Sequence, residues 1–393
     1  MHKKLGGIGF IFAFLIILFL PLCITGLEKL TDETWDLTLN GYYDSYPEPE
    51  LTIKEYWDGT FQTTFEKWWN HNFPPRSLFI KTYNQFRYSI FSKGSRVIGK
   101  NGNLFESGYL KDALILEDKY DFSLTENQSS LELYVKQLEE IQTILEARGK
   151  HLILFLTPSK ADYAFDDIPL EFKLQSDPEG KKRGIEYLRE LLAQVNLHVV
   201  DSTEILKNYT DSPIFYHTGI HWSESADLLV CQALMQAIGD ITNQPVKNII
   251  LQSLEKREEP YSRDCDLYDL LNIFWGEQDP YYYRYDMEVS VPNGARNFNI
   301  LLQGGSFANG FIDYYSQYNL GGIIRNIFYD ESYADRVGET TYMALNDFSD
   351  LDWDAIIADT DVVIIELNPA LIWEYNRGFV SYLSQILPSL AEK

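Results

Sequence analysis

HLILFLT, residues 151–157, sets five apolar residues in a row between a histidine and a threonine. A strand wetted on one face would alternate apolar and polar residues, whereas an unbroken run marks a strand covered on both faces. The preceding stretch, 129–148, has apolar residues at helical spacing, and the same pairing recurs downstream. A charged helical stretch (180–196) leads into LHVVD (197–201). Ala226, Leu229, Val230, Ala233 and Ala237 share one face of a helix predicted over 223–238. FNILLQ (298–303), GIIRNIF (322–328) and DVVIIEL (361–367) read as further core strands. Apolar strands alternating with helices predict an α/β fold: a parallel sheet with helices on both faces, its chemistry gathered at the carboxyl ends of the strands.

Upstream of this pattern, 57–92 reads as helical, with Phe61, Phe65, Trp68 and Trp69 on a repeating face. In SRVIGKNGNLFES (95–107), two short apolar runs flank Asn101-Gly102, a hairpin signal because a type I′ turn needs positive φ at both central residues. Residues 28–56 are polar and aromatic, with Tyr-Pro-Glu-Pro-Glu at 46–50, and read as a linker or extended arm.

The N-terminus carries His2-Lys3-Lys4 and then an uncharged run, Leu5 to Leu27. As a helix this run would span about 34 Å, enough for the hydrocarbon layer of a membrane. Lysines before it and Glu28 after it predict an uncleaved signal anchor with the remainder on the extracytoplasmic side of the cell membrane. A cleaved signal peptide is the rival reading, but no clean small-x-small site stands near residue 25. The expected organisation is an anchor at 1–27, an entry segment with helix and hairpin at 28–115, and an α/β domain at 116–393.

A net charge of −25 and a pI near 4.6 exclude a nucleic-acid backbone as partner, since phosphate binding needs a basic face. Of three cysteines, Cys23 lies in the apolar run. Cys231 and Cys265 either pair in an oxidising compartment or stay as buried thiols. No spacing of cysteine or histidine suggests a metal, and no cofactor is called for.

Three strand-end segments could carry chemistry. FNILLQ runs into Gly304-Gly305-Ser306-Phe307, where a helical segment (307–318) begins. The serine hydroxyl is expected to be exposed there, beside backbone N–H groups able to stabilise an oxyanion. In IFYHTGIHWS (214–223), His221 sits just before a helix start, where the dipole favours the neutral, proton-accepting ring. LTPSKADY (156–163) puts Ser159 and Lys160 in a strand-end loop. Each has a bland alternative: a glycine-serine turn, a capping or surface histidine, a solvated lysine.

Taken in order, PSK, HTGIHW and GGSF resemble the SGNH-hydrolase-like O-acetyltransferases of exopolysaccharide export, the AlgJ and AlgX group with its DHHW relatives. FEKWWNHNFPPRSLFI (65–80), VIGKNGNLF (97–105) and DVVIIELNPALI (361–372) are similar to the entry segment, hairpin and closing strand of that family, and a single N-terminal anchor fits its AlgJ-like members. The resemblance implies an SGNH-hydrolase-like, flavodoxin-like sheet. It also implies Ser306 as nucleophile and His221 as base, with Gly304, Gly305, Ser159 and Lys160 forming the site loops. Further implications are an exported polysaccharide as acceptor and a membrane-bound O-acyltransferase partner as acetyl source.

Two departures stand out. The family's Thr-Asp-x-His-Trp is here Thr218-Gly219-Ile220-His221-Trp222, and its Gly-Asp-Ser-Phe is Gly304-Gly305-Ser306-Phe307. Both motif aspartates are missing. Asp201, Asp162 or Asp211 are the candidates to orient the His221 ring, and His217 reads as a loop residue. Three functions follow: acetyl transfer to a polysaccharide, a degenerate member that binds glycan or an export complex, or an acetyl esterase. Tyr281-Tyr282-Tyr283, expected in a loop before the serine strand, could stack on sugar rings. A polyanion such as alginate would be repelled by a protein of this charge, so a neutral or cationic polymer fits better.

N-terminal sequencing of the protein recovered from cells tests the anchor. Retention of the 5–27 segment is expected, and a start near residue 26 would make it a cleaved signal peptide.

Overall fold

The computed structural model describes residues 11–390 apart from positions 13, 17, 21–22, 25, 28–29, 31–36, 42–44 and 74–75. Much of the expected anchor lies outside the described residues. Among the described residues, no helix is long and apolar enough to cross a membrane.

The chain divides into two compact units, one built from residues 1–96 and 268–277, the other from 97–267 and 278–393. In the first, the helical stretch expected over 57–92 is three helices, Ile53–Asp58, Thr60–Asn72 and Arg76–Phe91. The first two are separated by Gly59, whose φ of 84° ends one helix and starts the next. The 268–277 segment is stitched to the third helix. Gln85 Oε1 accepts the N–H groups of Phe274 and Trp275 at 2.9 and 3.1 Å, and Asn84 Nδ2 donates to the Leu271 carbonyl at 2.9 Å.

The second unit opens with the expected hairpin, β1 (Val97–Ile98) and β2 (Leu104–Phe105), with Asn101 and Gly102 both at positive φ. Its main strands are β3 (His151–Leu156), β4 (Val199–Asp201), β7 (Ile300–Gly304), β8 (Ile324–Phe328) and β11 (Val362–Leu367). These five pair in parallel, in the order β4-β3-β11-β7-β8, and β9 (Ser332–Ala334) and β10 (Met343–Ala344) extend the far edge antiparallel. The domain is thus an α/β fold with a mostly parallel central sheet. Numbered along the chain, its parallel strands run 2-1-5-3-4, so the closing strand sits in the middle. A flavodoxin sheet would run 2-1-3-4-5.

Side chains of a strand alternate between the two faces of the sheet, which explains why apolar residues occupy every position here. Ile153, Phe155, Ile300, Leu302, Val362 and Ile364 enter one core cluster with helix Glu224–Thr242 and helix Asn309–Gln317. Leu152, Leu154, Leu156, Leu301, Val363 and Ile365 enter the other with helix Thr125–Ala147 and helix Phe379–Ile386. The carboxyl ends of β3, β11 and β7 therefore lie side by side at the centre of one sheet edge.

A long antiparallel ribbon, β5 (Asn248–Arg257) with β6 (Tyr282–Ser290), is not foreshadowed by the apolar pattern. Most of β5 is exposed, so it has no buried face to leave a period in the sequence. Tyr282, expected in a loop, is in this ribbon, buried against Tyr216 with ring centroids 4.9 Å apart. It packs the core and offers no sugar platform. Cys231 and Cys265 are both buried and are not joined in a disulfide.

Candidate active site

Strand β7 ends where the chain must pass close to its neighbours. A Cβ on Gly304 would lie 2.6 Å from Cβ of Glu366 on β11, and one on Gly305 would lie 2.6 Å from the Tyr329 ring. Glycine is the residue that permits both approaches. The Gly305 N–H donates to Glu366 Oε2 at 2.8 Å, and Thr157 Oγ1, just past β3, donates to Oε1 at 2.6 Å. Burial pushes the Glu366 carboxyl pKa up, against these two hydrogen bonds. The ends of the three central strands are thereby tied together beneath Ser306.

The serine begins a short turn, Ser306–Ala308, that leads into helix Asn309–Gln317. Tyr329, just after β8, lies over it: its hydroxyl is 3.0 Å from Ser306 Oγ and accepts the Ser306 N–H at 3.1 Å. Tyr329 and Asp330 both have left-handed φ, 51° and 57°. A bulky residue there is strained by about 1 kcal/mol or more, and the strained turn aims the phenol at the serine.

The histidine loop is fixed from several sides. Lys160 Nζ donates to the carbonyls of Tyr216, His217 and Gly219 at 2.8, 2.7 and 2.7 Å. Its side chain is 2% exposed, and burial pulls its pKa down to about 7, with nearby aspartates opposing the shift. Three acceptors around one amine match the three donors of the ammonium form. Asp279 accepts the N–H groups of His217 and Thr218 at 3.1 and 3.2 Å. The Thr218 hydroxyl donates at 2.8 Å to the Asp264 carbonyl.

His221 Nε2 is 2.8 Å from Ser306 Oγ, and Nδ1 is 2.5 Å from Asp266 Oδ2. The other oxygen of Asp266 accepts the Ile220 N–H at 2.8 Å. With Nδ1–H donated to Asp266, Nε2 is left to accept the serine proton. The ring packs on Phe307 at 5.3 Å between centroids. Beside it, Trp222 Nε1 donates to the buried Asp227 at 2.7 Å, and Asp227 is ion-paired with Arg263. Burial raises the Asp227 pKa to about 6.

The structure thus brings Ser306 and His221 together and supplies a carboxylate that sequence reasoning missed. The three aspartates named as orienters are elsewhere. Asp201 pairs with Arg189 at 2.9 Å and caps the following helix, Asp162 pairs with Arg183 at 2.6 Å, and Asp211 is exposed. The Ser159 Oγ accepts the Ala161 N–H as a helix cap, and Lys160 clamps the histidine loop through its three hydrogen bonds. His217 is a loop residue whose ring stands 3.5 Å from Asp279. Asp266 follows Asp264 in an acidic segment that carries no motif, and nothing local distinguishes it from its neighbours. Gly219 does not have a positive φ. It is glycine because a Cβ would lie 2.6 Å from the Arg263 carbonyl and 2.9 Å from that of Asp264.

A groove of about 900 Å³ opens beside the site, lined by His221 and Ser306 together with Glu224, Tyr261, Tyr314 and Tyr318. Among the described residues there is no cluster able to hold a metal ion.

A mostly parallel α/β sheet with a serine, a histidine and an aspartate joined in series at its strand ends has the build of an SGNH hydrolase-like domain. Residues 97–281 match the family model described as the SGNH hydrolase-like domain of the acetyltransferase AlgX. The matched segment contains His221 and Asp266 and ends before Ser306. No curated protein matches the sequence. Among solved structures, the O-acetyltransferase domain of Pseudomonas putida AlgJ is 13% identical, with 74% of this chain and 98% of that one covered at a TM-score of 0.43. Pseudomonas aeruginosa AlgX is also 13% identical, with coverage of 73% and 67% and a TM-score of 0.42. A DHHW family protein from Eubacterium siraeum is 12% identical, with coverage of 63% and 88% and a TM-score of 0.39.

Two outcomes are expected. Gly219→Asp should lower the thermal midpoint, because the new side chain displaces the 263–264 backbone, at an overpacking cost of about 1–3 kcal/mol. An unchanged melt would refute the close approach. The second concerns pH. Burial raises the folded-state pKa of Glu224 from 4.5 to about 7. Between those values the unfolded chain has lost a proton that the folded chain keeps, so this group's contribution to stability falls as pH rises. Melts at pH 4.5 and 7.5 should therefore show a smaller fall for Glu224→Gln than for wild type, and equal falls would contradict the assignment.

Proposed function

We propose that this protein is an O-acetyltransferase acting on an exported polysaccharide, with Ser306 as nucleophile, His221 as general base and Asp266 as the group that orients and stabilises the imidazolium. The observation that carries the reading is the continuous hydrogen-bond chain Asp266–His221–Ser306. Nucleophile, base and orienter each stand within direct hydrogen-bond reach of the next, the relation that activates an otherwise weak serine hydroxyl.

In the first half-reaction, Ser306 Oγ attacks the acetyl carbonyl of the donor while its proton passes to His221 Nε2. The carbon–oxygen bond to the leaving group breaks, and that proton goes to the leaving group. In the second, a sugar hydroxyl attacks the acetyl-serine and gives its proton to Nε2. The serine ester bond then breaks and Oγ takes the proton back. In this reading the Tyr329 hydroxyl and the Ser306 N–H, hydrogen-bonded to each other at 3.1 Å, are the oxyanion donors. An oxyanion placed there would replace the phenol oxygen as acceptor of that N–H and receive the phenol proton as a hydrogen bond.

The acetyl source in this reading is a membrane-bound O-acyltransferase partner, and the apolar 5–27 segment holds the protein beside it on the extracytoplasmic face. A glycan-binding role without catalysis rested on the loss of an orienting carboxylate. Asp266 removes that motive.

With an acetyl-ester chromogen, Ser306→Ala should abolish turnover. Asp266→Asn should cost about 10⁴-fold by analogy with serine proteases, and Tyr329→Phe about 10²- to 10³-fold. Full activity in Ser306→Ala would overturn the proposal.

A further inference from the structure

The groove beside Ser306 has a chemical character of its own. Two of its polar groups are buried and make no hydrogen bond with the protein: Glu224 Oε2 and the hydroxyl of Tyr314, a residue 5% exposed. A buried acceptor left unpaired is costly, so such groups mark where a ligand's donors belong. Asp313 adds a second carboxylate to the lining. The one arginine in the lining, Arg263, is already ion-paired with the buried Asp227, and the lining holds no lysine. Apolar contact comes from Tyr261, Tyr314 and Tyr318, the last two packed edge to face at 5.8 Å between centroids.

We propose that this groove is the acceptor subsite and that it takes a glycan chain without carboxylates, whose hydroxyl or amino groups donate to Glu224 and Tyr314. The assignment rests on the acyl-transfer reading given above and adds the acceptor class to it. Pyranose C–H faces pack on tyrosine rings whatever the sugar, so the aromatics supply affinity without choosing among glycans. The carboxylates choose. A uronate in the groove would give up its hydration with no unpaired arginine or lysine among the lining residues to meet it, beside Asp313 and, as pH rises past about 7, beside an ionised Glu224. A neutral sugar meets acceptors for its hydroxyls, and an amino sugar meets an opposite charge. Selection by a repulsive element of this kind is specificity through penalty on the wrong partner.

The test uses the full-length protein with p-nitrophenyl acetate as donor. Three acceptors are compared at equal concentration: a cello-oligosaccharide, a partly N-acetylated chito-oligosaccharide and an oligomannuronate, with products read by mass spectrometry. Acetylation of the cello- or chito-oligosaccharide is expected to exceed that of the oligomannuronate by about ten-fold or more. Glu224→Lys should narrow that ratio by a similar factor. Asp313→Lys, on the exposed side of helix Asn309–Gln317, serves as the second variant should the first fail to fold. Equal or preferred acetylation of oligomannuronate by wild type overturns the inference, as does an unchanged ratio in folded lysine variants. Ester hydrolysis that depends on Ser306 without transfer to any of the three also overturns it. Ester turnover indifferent to Ser306→Ala would instead overturn the acyl-transfer reading itself, so the two failures are distinguishable.

Discussion

A single buried ammonium group holds the site in one piece. Lys160 leaves the end of β3 and spends its donors on three carbonyls of the loop that carries His221. Without it, the carbonyls of Tyr216, His217 and Gly219 would each lose a charged donor, and the loop would be left with its bonds to Asp279, Asp264, Asp266 and the Leu104 N–H. Glu366 does the matching work one strand over, where its two oxygens accept one hydrogen bond from the Gly305 N–H and another from the Thr157 hydroxyl. One cation and one carboxylate, both withdrawn from water, thus set the histidine loop and the serine turn at a common edge. Burying such groups is costly unless every donor and acceptor is met, and here they are met by groups that must be immobile.

The groups that face Ser306 are of a different kind. His221, Asp266 and Tyr329 remain partly accessible, and each is placed by something behind it. Asp266 holds its own loop through the Ile220 N–H before it reaches the ring. Tyr329 stands on a strained backbone. Trp222 and Phe307 wall the imidazole and are in turn fixed by Asp227 and by each other at 5.4 Å. The division is between a rigid, fully satisfied foundation and a small set of exposed groups able to exchange partners with a substrate.

Much of this was legible in the residues. HLILFLT and DVVIIEL announced strands buried on both faces, because no alternation survives when both sides of a sheet are covered. Asn101-Gly102 announced its turn. Ser306 and His221 were legible because PSK, HTGIHW and GGSF in that order resemble a known family; their places at strand or loop junctions with a helix left bland alternatives open. The central position of β11 was not legible, since strand order depends on crossovers and not on any local pattern. Nor was Asp266. A carboxylate brought 45 residues along the chain to a histidine leaves no spacing to read, and its neighbours in the segment are acidic as well. The role of Lys160 was hidden for a similar reason: an isolated lysine after a strand reads as solvated until its carbonyl partners are known.

The two glycines that stand where the related motifs have aspartate deserve to be considered together with what surrounds them. The place of a side chain at 219 is filled by the main chain of Arg263 and Asp264, and the place of one at 305 by the ring of Tyr329. Each site has room for one solution or the other. A side chain at 219 and the 263–266 segment in its present path exclude one another, so the glycine at 219 and the approach of Asp266 to His221 are two sides of one arrangement. A search that requires the aspartate would pass over chains in which the carboxylate is present in space and merely enters from another direction.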